Sequence, residues 1–252
     1  MYVTNANVDI AAVAALLADP SRAAMLEALL DVELLPASEL AHRARVTAQT
    51  ASSHLAKLVA GGLLVQTRHG RHHYYALAGP EVAQALEALA VIAQPVPVHS
   101  LRTSIRSEQL RFARTCYDHL AGRLGVGLTQ ALLEAHILTQ DEREYRVSTA
   151  GSQFLYNFGI DVAALQKQRR IFARQCLDWS ERHYHISGSL GAALASRLLE
   201  LGWIQRHPER RSLMITSAGL EGLQKVFGLS MQENQQAHSA TAPGLATASL
   251  AR

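Results

Sequence analysis

The sequence is poor in cysteine, in aromatic residues and in long apolar runs. Only Cys116 and Cys176 occur among 252 residues, which excludes a disulfide scaffold; in a reducing compartment both are expected as thiols unless they bind or sense something. No apolar run approaches the roughly 20 residues that cross a bilayer. The opening segment MYVTNANVDI lacks the basic start and apolar stretch of a secretion signal. A cytoplasmic protein with no membrane partner is therefore expected. β-Branched residues are scarce beside alanine and leucine, so helix should outweigh strand. The length suits two modest domains, each with its own hydrophobic core.

One local absence is more informative. No acidic residue lies between Glu39 and Glu81, whereas Arg43, Arg45, Lys57, Arg68 and Arg71 all fall there, with His42, His54, His69, His72 and His73 in addition. Residues 1–39 hold only Arg22 against six acids. The formal net charge of +3 says little about an anionic partner. A positive excess this concentrated marks one face of the molecule rather than an evenly solvated surface.

The same stretch has a legible order of elements. IAAVAALLADPSRAAMLEALL predicts two helices, with Asp19 as N-cap and Pro20 at the first helical position of the second. PASELAHRA predicts a short third helix, RV a tight turn, and TAQTASSHLAKLVAGG a fourth helix opened by Thr47 and closed by Gly61 or Gly62. On that fourth helix Ala51, Leu55, Leu58 and Gly62 share one face, while Thr50, Ser53, His54 and Lys57 form a polar row on the other. LLVQT, RHGRHH and YYALA then read as strand, loop and strand. Helix, turn, helix and hairpin make a winged helix-turn-helix, whose helix fits the major groove of B-DNA and whose basic tip reaches the neighbouring backbone or minor groove. Gln49, Thr50, Ser52, Ser53 and His54 are the candidates for base and nearby phosphate contacts; Thr47, Lys57, Arg68 and Arg71 are the candidates for phosphate.

LLADPSRAAMLEALL and SELAHRARVTAQTASSHLAKLVAGGLLVQTRHGRHHYYAL together resemble the ArsR/SmtB family of bacterial winged-helix repressors. The shared features are the aspartate-proline-arginine-type helix start, the serine/threonine-rich helix ending in histidine-leucine, and the glycine-arginine wing closing on two tyrosines; the match spans residues 10–80. The resemblance implies a homodimeric DNA-binding repressor that leaves a palindromic operator when an effector binds. Two departures bear on that effector. Members that sense arsenic and cadmium carry a cysteine pair in the third helix, where this chain has SELAHRARV; zinc-sensing members carry aspartate and histidine pairs after the wing, where it has PEVAQALEALAVI. Neither metal site carries over, so the effector is to be sought elsewhere, among metals or small organic molecules.

AQPVPVHS interrupts the helical pattern with two prolines and reads as a boundary. Beyond it the chain resembles itself: FARTCYDH at 112–119 matches FARQCLDW at 172–179, LAGRLGVGLTQALLEAHIL matches ISGSLGAALASRLLELGWI after six extra residues, and YRVSTAG matches LMITSAG. The expected architecture is mostly α with short β-hairpins (α+β). A winged helix-turn-helix at 8–93 is followed by a linker and connecting helix start at 94–107, sensor repeats at 108–165 and 166–230, and a disordered polar tail at 231–252. Each repeat is expected as helix, glycine-containing turn, helix, short hairpin and helix, with its cysteine on the first helix. Neither repeat shows an outward row of hydroxyl and basic side chains, which suits a sensor or dimer scaffold better than a second DNA reader.

Each repeat places its one cysteine two residues before an aspartate. Cys116, Asp118 and His119 form one group; Cys176, Asp178, Trp179, His183, Tyr184 and His185 form the other, and together they are the candidate effector-binding residues. Three readings stay open: small core cysteines beside an aspartate paired with the arginine two residues before each cysteine, an organic-ligand pocket, or a metal or redox site using both thiols. Catalysis would need a nucleophile, base and acid aligned within one copy, which the spacing does not offer, so no enzyme is expected. GSLGAAL is expected to lack the preceding strand of a phosphate loop and has no following lysine. The sequence thus reads as an effector-responsive transcriptional regulator.

Overall fold

The computed structural model describes residues 8–70, 72–94, 101–208 and 210–231. Arg71, expected as a phosphate contact, much of the expected linker at 94–107, and all of the expected tail beyond residue 231 lie outside them. The chain is mostly α with short antiparallel strands.

Asp9 accepts a hydrogen bond from the Ala12 N–H and starts α1 (Ile10–Leu17). Asp19 does the same for Ser21 and Arg22 at the start of α2 (Pro20–Asp31), where Pro20 sits at a position whose N–H has no intrahelical partner to lose. A two-residue strand, β1 (Leu35–Pro36), leads into α3 (Ala37–Ala44). The turn is made by Arg45 in the left-handed region, φ 55°. Thr47 then caps α4 (Ala48–Ala60) by accepting from the Thr50 N–H. The strands β2 (Leu64–His69) and β3 (His72–Leu77) form a hairpin, with β1 on the far edge of β3, and α5 (Pro80–Ile92) follows. Met25, Leu26, Leu40, Leu55, Leu58 and Tyr75 form the core of this part. RHGRHH, expected as a loop, is mostly strand: Arg68 pairs with His73 and His69 with His72. Gly70, at φ 61°, allows a two-residue connection, so the ladder runs to the tip.

The second part runs α6 (Leu101–Phe112), β4 (Arg114–Cys116), β5 (His119–Ala121), α7 (Gly122–Glu134), β6 (Leu138–Asp141), β7 (Glu144–Val147) and α8 (Thr149–Asn157). The same order follows in α9 (Val162–Gln166), β8 (Arg174–Leu177), β9 (Tyr184–Ser187), α10 (Gly188–Glu200), β10 (Ile204–Arg206), β11 (Leu213–Ile215) and α11 (Ser217–Phe227). The cysteines lie on strands β4 and β8, which corrects the helical placement expected for them. The reason is long-range pairing. Glu144 of β7 pairs with Arg174 of β8, and Ser212, just before β11, bridges to Arg114 of β4. Each cysteine hairpin thus has its outer edge covered by the hairpin of the other half, and no pattern within one segment signals that. Leu124, Leu128 and Leu132 of α7 meet Leu190, Leu194 and Leu198 of α10 in one core.

The two long helices also cross onto each other's hairpins. The Ile186 N–H of β9 donates to Thr129 Oγ1 on α7 at 3.0 Å. A Cβ at Gly125 would run into the Leu120 carbonyl and stand 3.6 Å from the His185 Cβ; one at Gly191 would stand 2.5 Å from the Ile186 carbonyl oxygen and 3.2 Å from the His119 Cβ. Gly125→Ala and Gly191→Ala should each therefore destabilise the protein by about 1–3 kcal/mol through overpacking. Urea unfolding monitored by circular dichroism measures this, and unchanged midpoints would show that the helices can move apart freely.

Candidate nucleic-acid interface and effector site

Helix α4 buries Ala51, Leu55 and Leu58 and leaves Gln49, Thr50, Ser52, Ser53 and Lys57 exposed. Thr47 is exposed as well, and its hydroxyl is 2.9 Å from the Thr50 hydroxyl. His54 is the exception in the polar row. Its Nδ1 lies 3.4 Å from Arg22 Nη1 and 4.0 Å from Asp19 Oδ1, so the ring faces the start of α2. Arg68 is exposed near the wing tip, where its Nε donates to the Gly70 carbonyl at 3.0 Å. Arg43 is tied to Glu39 one helical turn away, at 2.8 Å, so it is the less available cation. The result is one surface of amide, hydroxyl and cationic groups on α4, flanked by a β-ribbon.

The effector candidates divide into two groups. Cys116, His119, Cys176 and His185 converge, with one ligand-type atom from each lying within 4.8 Å of all the others. The Sγ atoms are 3.9 Å apart and the two Nε2 atoms 3.1 Å apart. Strand register explains the convergence: Cys116 pairs with His119 across β4–β5, and Cys176 pairs with His185 across β8–β9. The six extra residues of the second segment fall beyond the Cys176–His185 pair, where they add one ladder pair, Leu177 with Tyr184, and a longer loop, so His185, not the nearer His183, takes the position equivalent to His119. Cys116, His119 and His185 are buried and Cys176 is half-buried. His183 and Tyr184 are exposed and outside the cluster. Trp179 is not among the four converging residues; its ring centre lies 4.6 Å from the Arg114 guanidinium.

Each imidazole has a carboxylate behind it. Asp118 Oδ1 is 3.4 Å from His119 Nδ1, and Asp178 Oδ2 is 3.3 Å from His185 Nδ1, close but not aligned as a good hydrogen bond. Burial favours neutral imidazoles, but the carboxylates and Cys116 outweigh it and raise both histidines above their ordinary value. The Cys176 contact and then burial push the Cys116 thiol up to about 12. Burial would raise Asp118, yet His119 and Arg170 bring it down to about 2. Asp178 is held well below the carboxylate range; burial opposes this, and His185, Arg114, Ser180 and the Gly122 N–H prevail.

The arginine–aspartate pairing expected within each copy is crossed between copies. Arg114 Nη2 donates to Asp178 Oδ2 at 2.9 Å with both side chains fully buried, while Asp118 is paired with Arg170. Asp178 also accepts from the Gly122 N–H at 2.7 Å and from Ser180. A further ionic group joins the two parts of the chain and was not anticipated. Arg211 pairs with Glu87 of α5 and lies 3.5 Å from Asp31 of α2, which is also paired with Arg106 of α6. The Arg211 carbonyl accepts from the Thr115 N–H at 3.0 Å, one residue from Cys116. No local pattern signals Arg211, because its ionic partners Glu87 and Asp31 are over a hundred residues away.

Residues 17–67 match a family model described as a helix-turn-helix domain. The HTH-type transcriptional regulator YdfF of Bacillus subtilis (strain 168) is 44% identical over 219 residues, covering 87% of this chain and 97% of that protein. The HTH-type transcriptional regulator CmtR of Mycobacterium tuberculosis is 42% identical over 76 residues, covering 30% of this chain and 64% of that protein. Among solved structures, the cadmium metal-sensor CMTR from Mycobacterium tuberculosis is 34% identical with a TM-score of 0.30, covering 37% of this chain and all of that one. Similarity to YdfF therefore spans most of the chain, and similarity to CmtR about a third of it.

Removing Asp178 would leave Arg114 buried without a counter-charge. Asp178→Ala should cost about 3–5 kcal/mol, as losses of one partner from a buried pair do, read from urea unfolding near neutral pH. Because folding lowers the Asp178 pKa below 3.8, its contribution is present above the ordinary carboxylate range and is lost as pH falls below it. Wild type should therefore lose more stability on acidification than Asp178→Asn; parallel losses would remove Asp178 from that role.

Proposed function

The chain belongs to the HTH-type transcriptional regulators, with an ArsR/SmtB-type winged helix in its N-terminal part, and from that premise we propose that it is a homodimeric, effector-responsive repressor. The carrying observation is the exposed polar face of α4 beside a basic hairpin. Laid in the major groove, α4 offers Gln49, Thr50, Ser52 and Ser53 to base edges, with His54 at the margin; Thr47, Lys57, Arg68 and Arg71 answer phosphates. Two copies related by a twofold axis present two such helices to half-sites about one helical turn apart.

Exposed apolar surface supports the dimer. Helix α1, IAAVAALL, has no buried residue although every side chain is apolar. Ile10 and Ile92 are each 75% exposed, and Leu89 of α5 is also exposed. A second copy would cover these residues. Reciprocal pairing of the hairpins supports reading 108–165 and 166–230 as a tandem duplication that carries the effector site. The group of Arg211, Glu87, Asp31 and Arg106 supplies a contact through which that unit biases the DNA-binding part. Winged helix 8–93 and sensor 108–230 then work as reader and switch, joined through 94–107, with the tail at 231–252 outside both roles.

Gel shifts with DNA from upstream of the protein's own gene test the reading surface. Arg68→Ala should weaken binding to all sequences and reduce the salt slope by about one charge, while Gln49→Ala should cost about 1–3 kcal/mol of preference at one base position. Equal effects of both changes on every sequence would overturn the assignment of reader and wing. Ile92→Asp should convert a dimer to a monomer in sedimentation equilibrium and weaken operator binding; a persisting dimer would place the interface elsewhere.

A further inference from the structure

The Cys/His cluster has the donor set of a metal centre, and its geometry can be compared with one. A regular tetrahedron with zinc–sulfur bonds of about 2.3 Å and zinc–nitrogen bonds of about 2.0–2.1 Å separates its two sulfurs by about 3.8 Å and its two nitrogens by about 3.3 Å. The distances here are 3.9 Å between Sγ atoms and 3.1 Å between Nε2 atoms. A disulfide needs sulfurs about 2.05 Å apart, so the cysteines stand at metal-sharing distance rather than bonding distance.

The histidines point the same way. A carboxylate faces each Nδ1, from Asp118 and from Asp178, which favours the proton on Nδ1 and leaves the lone pair on Nε2. Two neutral rings in that tautomer would aim two lone pairs at each other across 3.1 Å. A cation between them resolves the conflict.

We infer that Cys116, His119, Cys176 and His185 form a closed tetrahedral site for a borderline-soft divalent cation of the zinc type. Two thiolates and two imidazoles suit such an ion rather than magnesium or calcium, which take oxygen donors. Binding one dication releases both thiol protons to solvent, so the buried site gains no net charge. All four positions are filled by protein, so the ion has no open coordination site for hydrolytic chemistry. Each hairpin gives one cysteine and one histidine, so the ion clamps the two halves together. It also braces β4, whose Thr115 is bonded to Arg211 at the contact with α2 and α5. The inference names the ligand of the unit proposed above as the sensor, and only its regulatory consequence rests on that reading.

The test uses the full-length reduced protein, stripped with chelator and titrated with cobalt(II) and then zinc(II), without DNA. One cobalt per chain is expected, with the ligand-field absorption of a tetrahedral ion and a sulfur-to-cobalt charge-transfer band, both abolished by zinc. Cys116→Ser with Cys176→Ser should eliminate the charge-transfer band. Asp118→Asn, changing a positioning residue, should weaken binding by about 10–100-fold while leaving the tetrahedral spectrum intact. An octahedral spectrum, binding that survives the double cysteine change, or no uptake by the folded, reduced wild type would overturn the site. A bound metal that leaves operator affinity unchanged would uphold the site and refute only its role as effector.

Discussion

The ion pair between Arg114 and Asp178 is the constraint on which the C-terminal part turns. Both side chains are fully buried, a costly placement for charges unless each finds its partner and its hydrogen bonds. Asp178 finds them from Arg114 on the other hairpin, from the N–H that begins α7, from Ser180 and beside His185. One carboxylate thereby fixes the spacing of the hairpins, the start of a helix and the position of an imidazole. The Cys/His cluster follows from that spacing.

The two parts of the molecule meet through charge as well. Asp31 at the end of α2 and Glu87 on α5 are buried against Arg106 and Arg211. Ionic contacts of this kind have discrete made and broken arrangements, whereas close-packed apolar surfaces deform little. One backbone hydrogen bond, from the Thr115 N–H of β4 to the Arg211 carbonyl, joins the strand that carries Cys116 to the ionic group on α2 and α5. Among the described residues, Gln49, Thr50, Ser52, Ser53 and Lys57 of α4 stay exposed.

The winged helix was legible because its signals are local. Asp19 with Pro20, Thr47 before α4, and the period of Ala51, Leu55 and Leu58 each act within a turn or two, and the structure has those caps and that buried face. The extent of β2 and β3 was less legible. His69, His72 and His73 carry no strong strand preference, and only the glycine turn draws them into the ladder. His54 belonged to the polar row by spacing, yet Arg22 and Asp19 draw its ring toward α2.

By itself the sequence determined the order of the reading helix and basic wing, the absence of a disulfide framework, and the self-resemblance that puts a Cys-x-Asp in each copy. These depend on residue type and short spacing. Only the tertiary structure decided that both cysteines lie on strands, that His119 and His185 rather than His183 face them, and that Arg114 reaches Asp178 across the two halves. Strand pairing and ion pairing between segments some sixty residues apart set those outcomes, and such pairings are written in no single stretch of chain.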